Sequence, residues 1–110
     1  MHTRQQPFTQ TGDTLKHQTN VTNAALLYIN SDTLTIIGLA KAFNVTGNTI
    51  NNWLCEAVAK NYIPNSAMCK QLICKHISEY ETKHNIKNSS LRQMYEFALK
   101  ERNALISVGA

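Results

Sequence analysis

Apolar positions recur at helical spacing along most of the chain, and no stretch alternates with the two-residue period of a strand. Residues 1–12 are polar, contain Pro7 and Gly12 and show no periodicity, which predicts a flexible polar tail. A helix is expected from Asp13 or Asn20, because Val21, Ala24, Ala25, Tyr28 and Ile29 follow the i, i+3, i+4, i+7, i+8 spacing of one buried stripe. Asn30-Ser31-Asp32 ends it and offers a cap to the next helix. Two short helices are expected near 35–43 and 47–60, separated by Asn44-Val45-Thr46, with Tyr62-Ile63-Pro64 breaking the second. Ser66 is placed to cap a fourth helix to about His84, with Cys69, Leu72, Ile73, Ile77 and Tyr80 inward. After a turn at 85–88, Ser90 and Gln93 have the spacing of a capping box. The helix they open sets Leu91, Met94, Tyr95, Ala98, Leu99, Leu105 and Ile106 along one face. The expected fold is all-α, with four to five helices: a tail at 1–12, a first unit at 13–64 and an amphipathic C-terminal pair at 65–110.

The stretch at 36–55, IIGLAKAFNVTGNTINNWLC, is the most constrained. Two helices packed at a steep angle across a tight turn need particular side chains at particular places. Leu39 and Phe43 supply apolar groups one turn apart, and Ala40 is small enough to sit where the helices cross. Asn44 stands where the turn needs a left-handed backbone, for which asparagine is the next choice after glycine. Val45 fills the gap between the helices, and the Thr46 hydroxyl is placed to cap the second. Ile50, Trp53 and Leu54 then return to the core at i, i+3 and i+4.

Written as LAKAFNVTGNTINNWL, residues 39–54 resemble the pattern LAxxxGVSxxTVxxWL of the bacterial helix-turn-helix (homeodomain-like) DNA-binding proteins. The order of helices around this stretch is loosely similar to the small stage III sporulation transcription regulators. It is similar too to the N-terminal domains of phage terminase small subunits and transposases. The resemblance implies double-stranded DNA as partner, with the second motif helix in the major groove. Thr46, Gly47, Asn48, Thr49, Asn51 and Asn52 would then face the base edges. Asparagine pairs bidentately with the N6/N7 edge of adenine and threonine meets a thymine methyl, so an AT-containing target is expected, each good bidentate contact discriminating by ~1–3 kcal/mol. Between Thr46 and Ala59 the only charged residue is Glu56. Phosphate contacts must therefore come from other segments, and Arg4, Lys16, Lys41 and Lys60 are the candidates.

Composition agrees with this reading without selecting it. A net charge of +4 and a pI near 9.1 suit a polyanionic partner. At 110 residues, 43% hydrophobic and 16% charged, the chain can bury one core. No apolar run reaches the ~20 residues of a membrane span, and the N-terminal stretch lacks the apolar core of a secretory signal. Three cysteines, an odd number, point to a reducing cytoplasm rather than a disulfide framework.

Cys69, Cys74, His76 and His84 invite a metal reading. All four fall on one predicted helix, with Cys69 and Cys74 about 140° apart, so buried thiols and surface histidines are expected and no metal. Cys55 reads as a small core filler. There is no nucleophile–base pair or glycine-rich phosphate loop, and Glu79 and Glu81, two apart, face different ways. Neither an enzyme, a cofactor nor a small-molecule substrate is expected.

The last helix either closes the monomer core or pairs with its symmetry mate, as helix-turn-helix proteins do to present two reading helices to successive major grooves. A homodimer seam would use Leu91, Met94, Tyr95, Ala98, Leu99 and Leu105. Charged Lys87, Arg92, Glu96, Lys100, Glu101 and Arg102 would border it. The functions left open are a small sequence-specific transcription regulator, a DNA-packaging or recombination accessory, and a helical protein-interaction module.

Overall fold

The computed structural model describes the backbone of residues 6–109 and the side chains of residues 15–107, in five helices. These are α1 (Gln6–Asn30), α2 (Ile36–Phe43), α3 (Gly47–Ala59), α4 (Ser66–His84) and α5 (Ser90–Gly109). Among the described residues there is no strand, and no helix is long and apolar enough to cross a membrane.

The main departure from expectation is α1, which begins at Gln6, so residues 6–12 are helix rather than tail. Pro7 falls in its first turn, where a missing N–H leaves no intrahelical acceptor unpaired. Hydrophobic periodicity is silent there. Among the residues whose side chains are described, Leu15 to Thr19 are exposed and burial begins at Asn20 and Val21. The molecule measures 51 × 37 × 24 Å along its principal axes.

Side chains set the other boundaries. Thr35, rather than a residue of 30–32, caps α2 by accepting from the Gly38 N–H at 3.1 Å. Asn65, one residue before the expected Ser66, caps α4 through a bond from the Met68 N–H at 3.0 Å. Asn44 and Asn85 end α2 and α4 in the left-handed region; Asn61 and Asn88 adopt it too. Among the described residues asparagine alone fills this conformation, which its short polar side chain tolerates.

Helix α3 is central. Its Ile50, Leu54, Ala57 and Val58 are fully buried, and it packs on α1, α2 and α5. Val21, Ala24, Ala25 and Tyr28 of α1, Leu39 of α2, Leu72 of α4, and Leu91 and Tyr95 of α5 complete the core. Each buried Ile or Leu contributes roughly 1.5–3 kcal/mol.

Charged side chains pin helix ends together. From α4, the Lys75 ammonium donates to the carbonyls of Tyr28 (2.7 Å) and Ser31, at the C-terminal end of α1, and lies 4.1 Å over the Tyr28 ring centroid. One turn on, Glu79 accepts from the Tyr28 hydroxyl at 2.6 Å and from the Ile36 N–H at 2.9 Å, at the N-terminal end of α2. A cation at a helix C-terminus and an anion at an N-terminus each complement the macrodipole. Burial, then the Glu79 carboxylate, holds the Tyr28 hydroxyl well above the usual phenol range. Glu81 points elsewhere, as the two-residue spacing predicts. It accepts from the Ser89 N–H (2.9 Å) and hydroxyl (2.7 Å) and pairs with both Arg92 nitrogens that reach it, fixing the start of α5. Arg102, expected at a solvated border, is instead 4% exposed. It donates to the Pro64 carbonyl at 3.1 Å and more weakly at 3.5 Å to that of Val58, which also accepts from the Asn61 N–H, because α5 lies across the C-terminal end of α3 and the loop after it.

Candidate nucleic-acid interface

The joint between α2 and α3 follows the chemistry of its residues. Asn44 has φ 57° and ψ 46°, and its N–H reaches the Lys41 carbonyl at 3.2 Å. The Val45 N–H donates to Ala40 at 2.9 Å, which closes the end of α2. Thr46 is extended, and its hydroxyl accepts from the Thr49 N–H at 3.1 Å. Ala40 is buried under the crossing, and Phe43 packs edge-on against Trp53 with centroids 5.8 Å apart.

This joint leaves part of α3 in solvent. Thr46, Asn48 and Asn52 are exposed, and Gly47 and Thr49 are partly exposed. Asn51 is likewise partly exposed, but its side-chain oxygen is engaged within the protein. Its Oδ1 lies 2.7 Å from the Nε2 of His76 on α4. The reason is helical phase: Asn51 stands three residues before Leu54 and seven before Val58, on the flank of the buried stripe.

His76 is fully buried, where a surface histidine was expected. Its second nitrogen, Nδ1, is 2.5 Å from the Tyr95 hydroxyl. Burial lowers its pKa to about 4, so the ring is neutral near pH 7. With the Asn51 carbonyl oxygen able only to accept, Nε2–H donates to it and Nδ1 accepts from the Tyr95 hydroxyl. Tyr95 is held far above the phenol range by burial first and by Cys55 among the nearby groups, while burial pushes the Cys55 thiol up to about 11. Of the other thiols, Cys69 is buried and raised for the same reason, but Cys74 is exposed rather than buried. Among the described residues no three metal-ligating side chains gather in one place.

The cationic candidates are distributed unevenly. Lys16, Lys41 and Lys60 are all exposed, and Arg4 lies outside the described residues. Lys60 shares a groove of about 340 Å³ with Asn52, Glu56, Met94 and Phe97, between α3 and α5. Two cationic or polar groups that the motif did not indicate lie at the other end of α3. Lys83 and His84, from the last turn of α4, line a cleft of about 270 Å³ with Gly47, Asn48, Asn51, Tyr80 and the acid Glu79. The His84 ring lies against Tyr80 with centroids 4.5 Å apart and the planes tilted by 49°. Nothing in local spacing reveals this, because it depends on where α4 ends relative to the start of α3. The single acid of α3, Glu56, lies in its distal half and contacts His17 Nε2 at 3.0 Å.

The expected single face on α5 divides in two. Leu91, Tyr95 and Ala98 are 2–4% exposed and belong to the monomer core, so they are unavailable to a dimer seam. Met94, Leu99 and Leu105 are exposed, together with Phe97 (65%) and Ile106 (46%). The i, i+4, i+7 series 91, 95, 98 follows α3, and the stripe loses its cover beyond Arg102, where α5 passes the end of α3.

Comparison with protein-family models, with curated proteins and with solved structures finds no match to this chain.

Proposed function

We propose that this protein is a sequence-specific, non-catalytic DNA-binding protein, a small transcription regulator that reads the major groove with the first half of α3. The observation that carries this reading is the α2–α3 joint. Left-handed Asn44 and the capping Thr46 turn a polar edge of Thr46, Asn48 and Asn52 outward. The first two turns of α3 hold no acid. A helix N-terminus also favours a negative partner. The test is selection of bound duplexes from a random pool, followed by binding of Asn48→Ala and Asn52→Ala. Each is expected to weaken binding about 5- to 100-fold and to relax one base position, since a bidentate contact is worth ~1–3 kcal/mol. Unchanged affinity and selectivity in both variants refutes the assignment.

A homodimer is part of the proposal. Leu99, Leu105 and Ile106, exposed at and beyond the end of the core, would seat a second copy and leave the α3 edge free. Sedimentation of the full chain and of Leu105→Glu tests this. A monomer in both cases removes the dimer, and a ring of many subunits favours a packaging accessory. The three free thiols suit a reducing cytoplasm.

A second reading, a protein-interaction module, is favoured by the groove that Met94 and Phe97 form beside Asn52. Salt separates the two. DNA affinity falls steeply as salt rises, whereas docking on this groove changes little.

A further inference from the structure

Asn51 has lost half of what a base-reading asparagine needs. Bidentate pairing with adenine requires an acceptor and a donor from the same amide. The acceptor is taken, because the neutral His76 ring donates Nε2–H to Asn51 Oδ1 at 2.7 Å and is itself fixed by the Tyr95 hydroxyl. The amide nitrogen makes no hydrogen bond among the described residues and is not a buried orphan. Asn51 lines the cleft together with Asn48, Lys83, His84 and Glu79, whose carboxylate is already engaged by the Tyr28 hydroxyl and the Ile36 N–H. A group locked in this way presents N–H donors only, beside an ammonium and an imidazole. The matching ligand is an oxygen that only accepts and carries negative charge.

We infer that the cleft between the start of α3 and the end of α4 binds one phosphate of the DNA backbone. Asn51 Nδ2 and Lys83 are the donors, and His76 acts as the positioning residue. This deepens the proposed function and rests on it. It changes the role of Asn51 from base reader to phosphate anchor, and it makes α4 part of the DNA-contacting surface. It also supplies a cation that α3 itself lacks.

The test uses the full chain and three variants. Asn51→Asp keeps an oxygen for His76 and removes the donor, Lys83→Gln removes the charge, and Asn52→Ala serves as the base-edge comparison. Duplexes with single neutral methylphosphonates scanned along the selected site are the probe. Wild type is expected to be weakened at one backbone position. Lys83→Gln and Asn51→Asp lose that sensitivity while Asn52→Ala keeps it, and Lys83→Gln lowers the slope of log K against log salt by about 0.9. Sensitivity and slope unchanged in both Lys83→Gln and Asn51→Asp overturn the inference. If wild type binds no duplex, the proposed function fails, and inorganic phosphate decides the site alone. Shifts of the Asn51 side-chain amide signals in ¹⁵N NMR spectra, absent in Asn51→Asp, support an anion site, and no shifts overturn it.

Discussion

The buried His76 should make this protein unusually sensitive to mild acid. Folded, the ring is fully inaccessible and its pKa is lowered to about 4 by burial. Unfolded, it returns to about 6.5. A group whose folded pKa is depressed gives stability that is present above the unfolded value and is lost as pH falls, since only the unfolded chain then takes up the proton. The window is therefore pH 6.5 down to about 4. Across it the loss is roughly 3 kcal/mol at 1.36 kcal/mol per unit, of which about 2 kcal/mol is gone between pH 7 and pH 5. That is a large share of a total stability of about 5–15 kcal/mol, and it lowers the melting temperature by roughly 8 °C. His76→Gln is the comparison, because glutamine retains an amide donor for Asn51 and does not titrate. Urea unfolding at pH 7, 6, 5 and 4.5 should give a steep fall for wild type and a nearly flat profile for His76→Gln. Parallel profiles would refute the assignment of the acid sensitivity to this ring.

Other consequences are equally direct. Asn44→Val places a β-branched residue at φ 57° and should lose about 1–2 kcal/mol in thermal unfolding, whereas Asn44→Gly should be close to neutral. Glu79→Ala strands the Tyr28 hydroxyl and the Ile36 N–H, which should lower stability by roughly 1–3 kcal/mol for each group left without water, read by urea unfolding. Native protein should expose one thiol, Cys74, to a disulfide reagent, while Cys55 and Cys69 react only after unfolding; burial keeps the Cys55 thiol at about 11.

Local chemistry sufficed for the helix order and for the joint. The stripe Val21 to Ile29, the left-handed Asn44 and the Thr46 cap are consequences of neighbours within a few residues, so they were legible in one dimension. The start of α1 was not, because residues 6–12 carry no apolar period to read. What only the tertiary structure decided is which polar side chains are engaged by other helices. Asn51, His76, Glu79 and Arg102 look like surface groups along the chain, yet each meets a partner 25 to 44 positions away. These pairings depend on hydrogen-bonding groups in other segments, and helix periodicity carries no information about those. The same is true of Lys83 and His84. They reach the start of α3 because α4 packs on α1 and ends beside it, a fact of packing rather than of spacing.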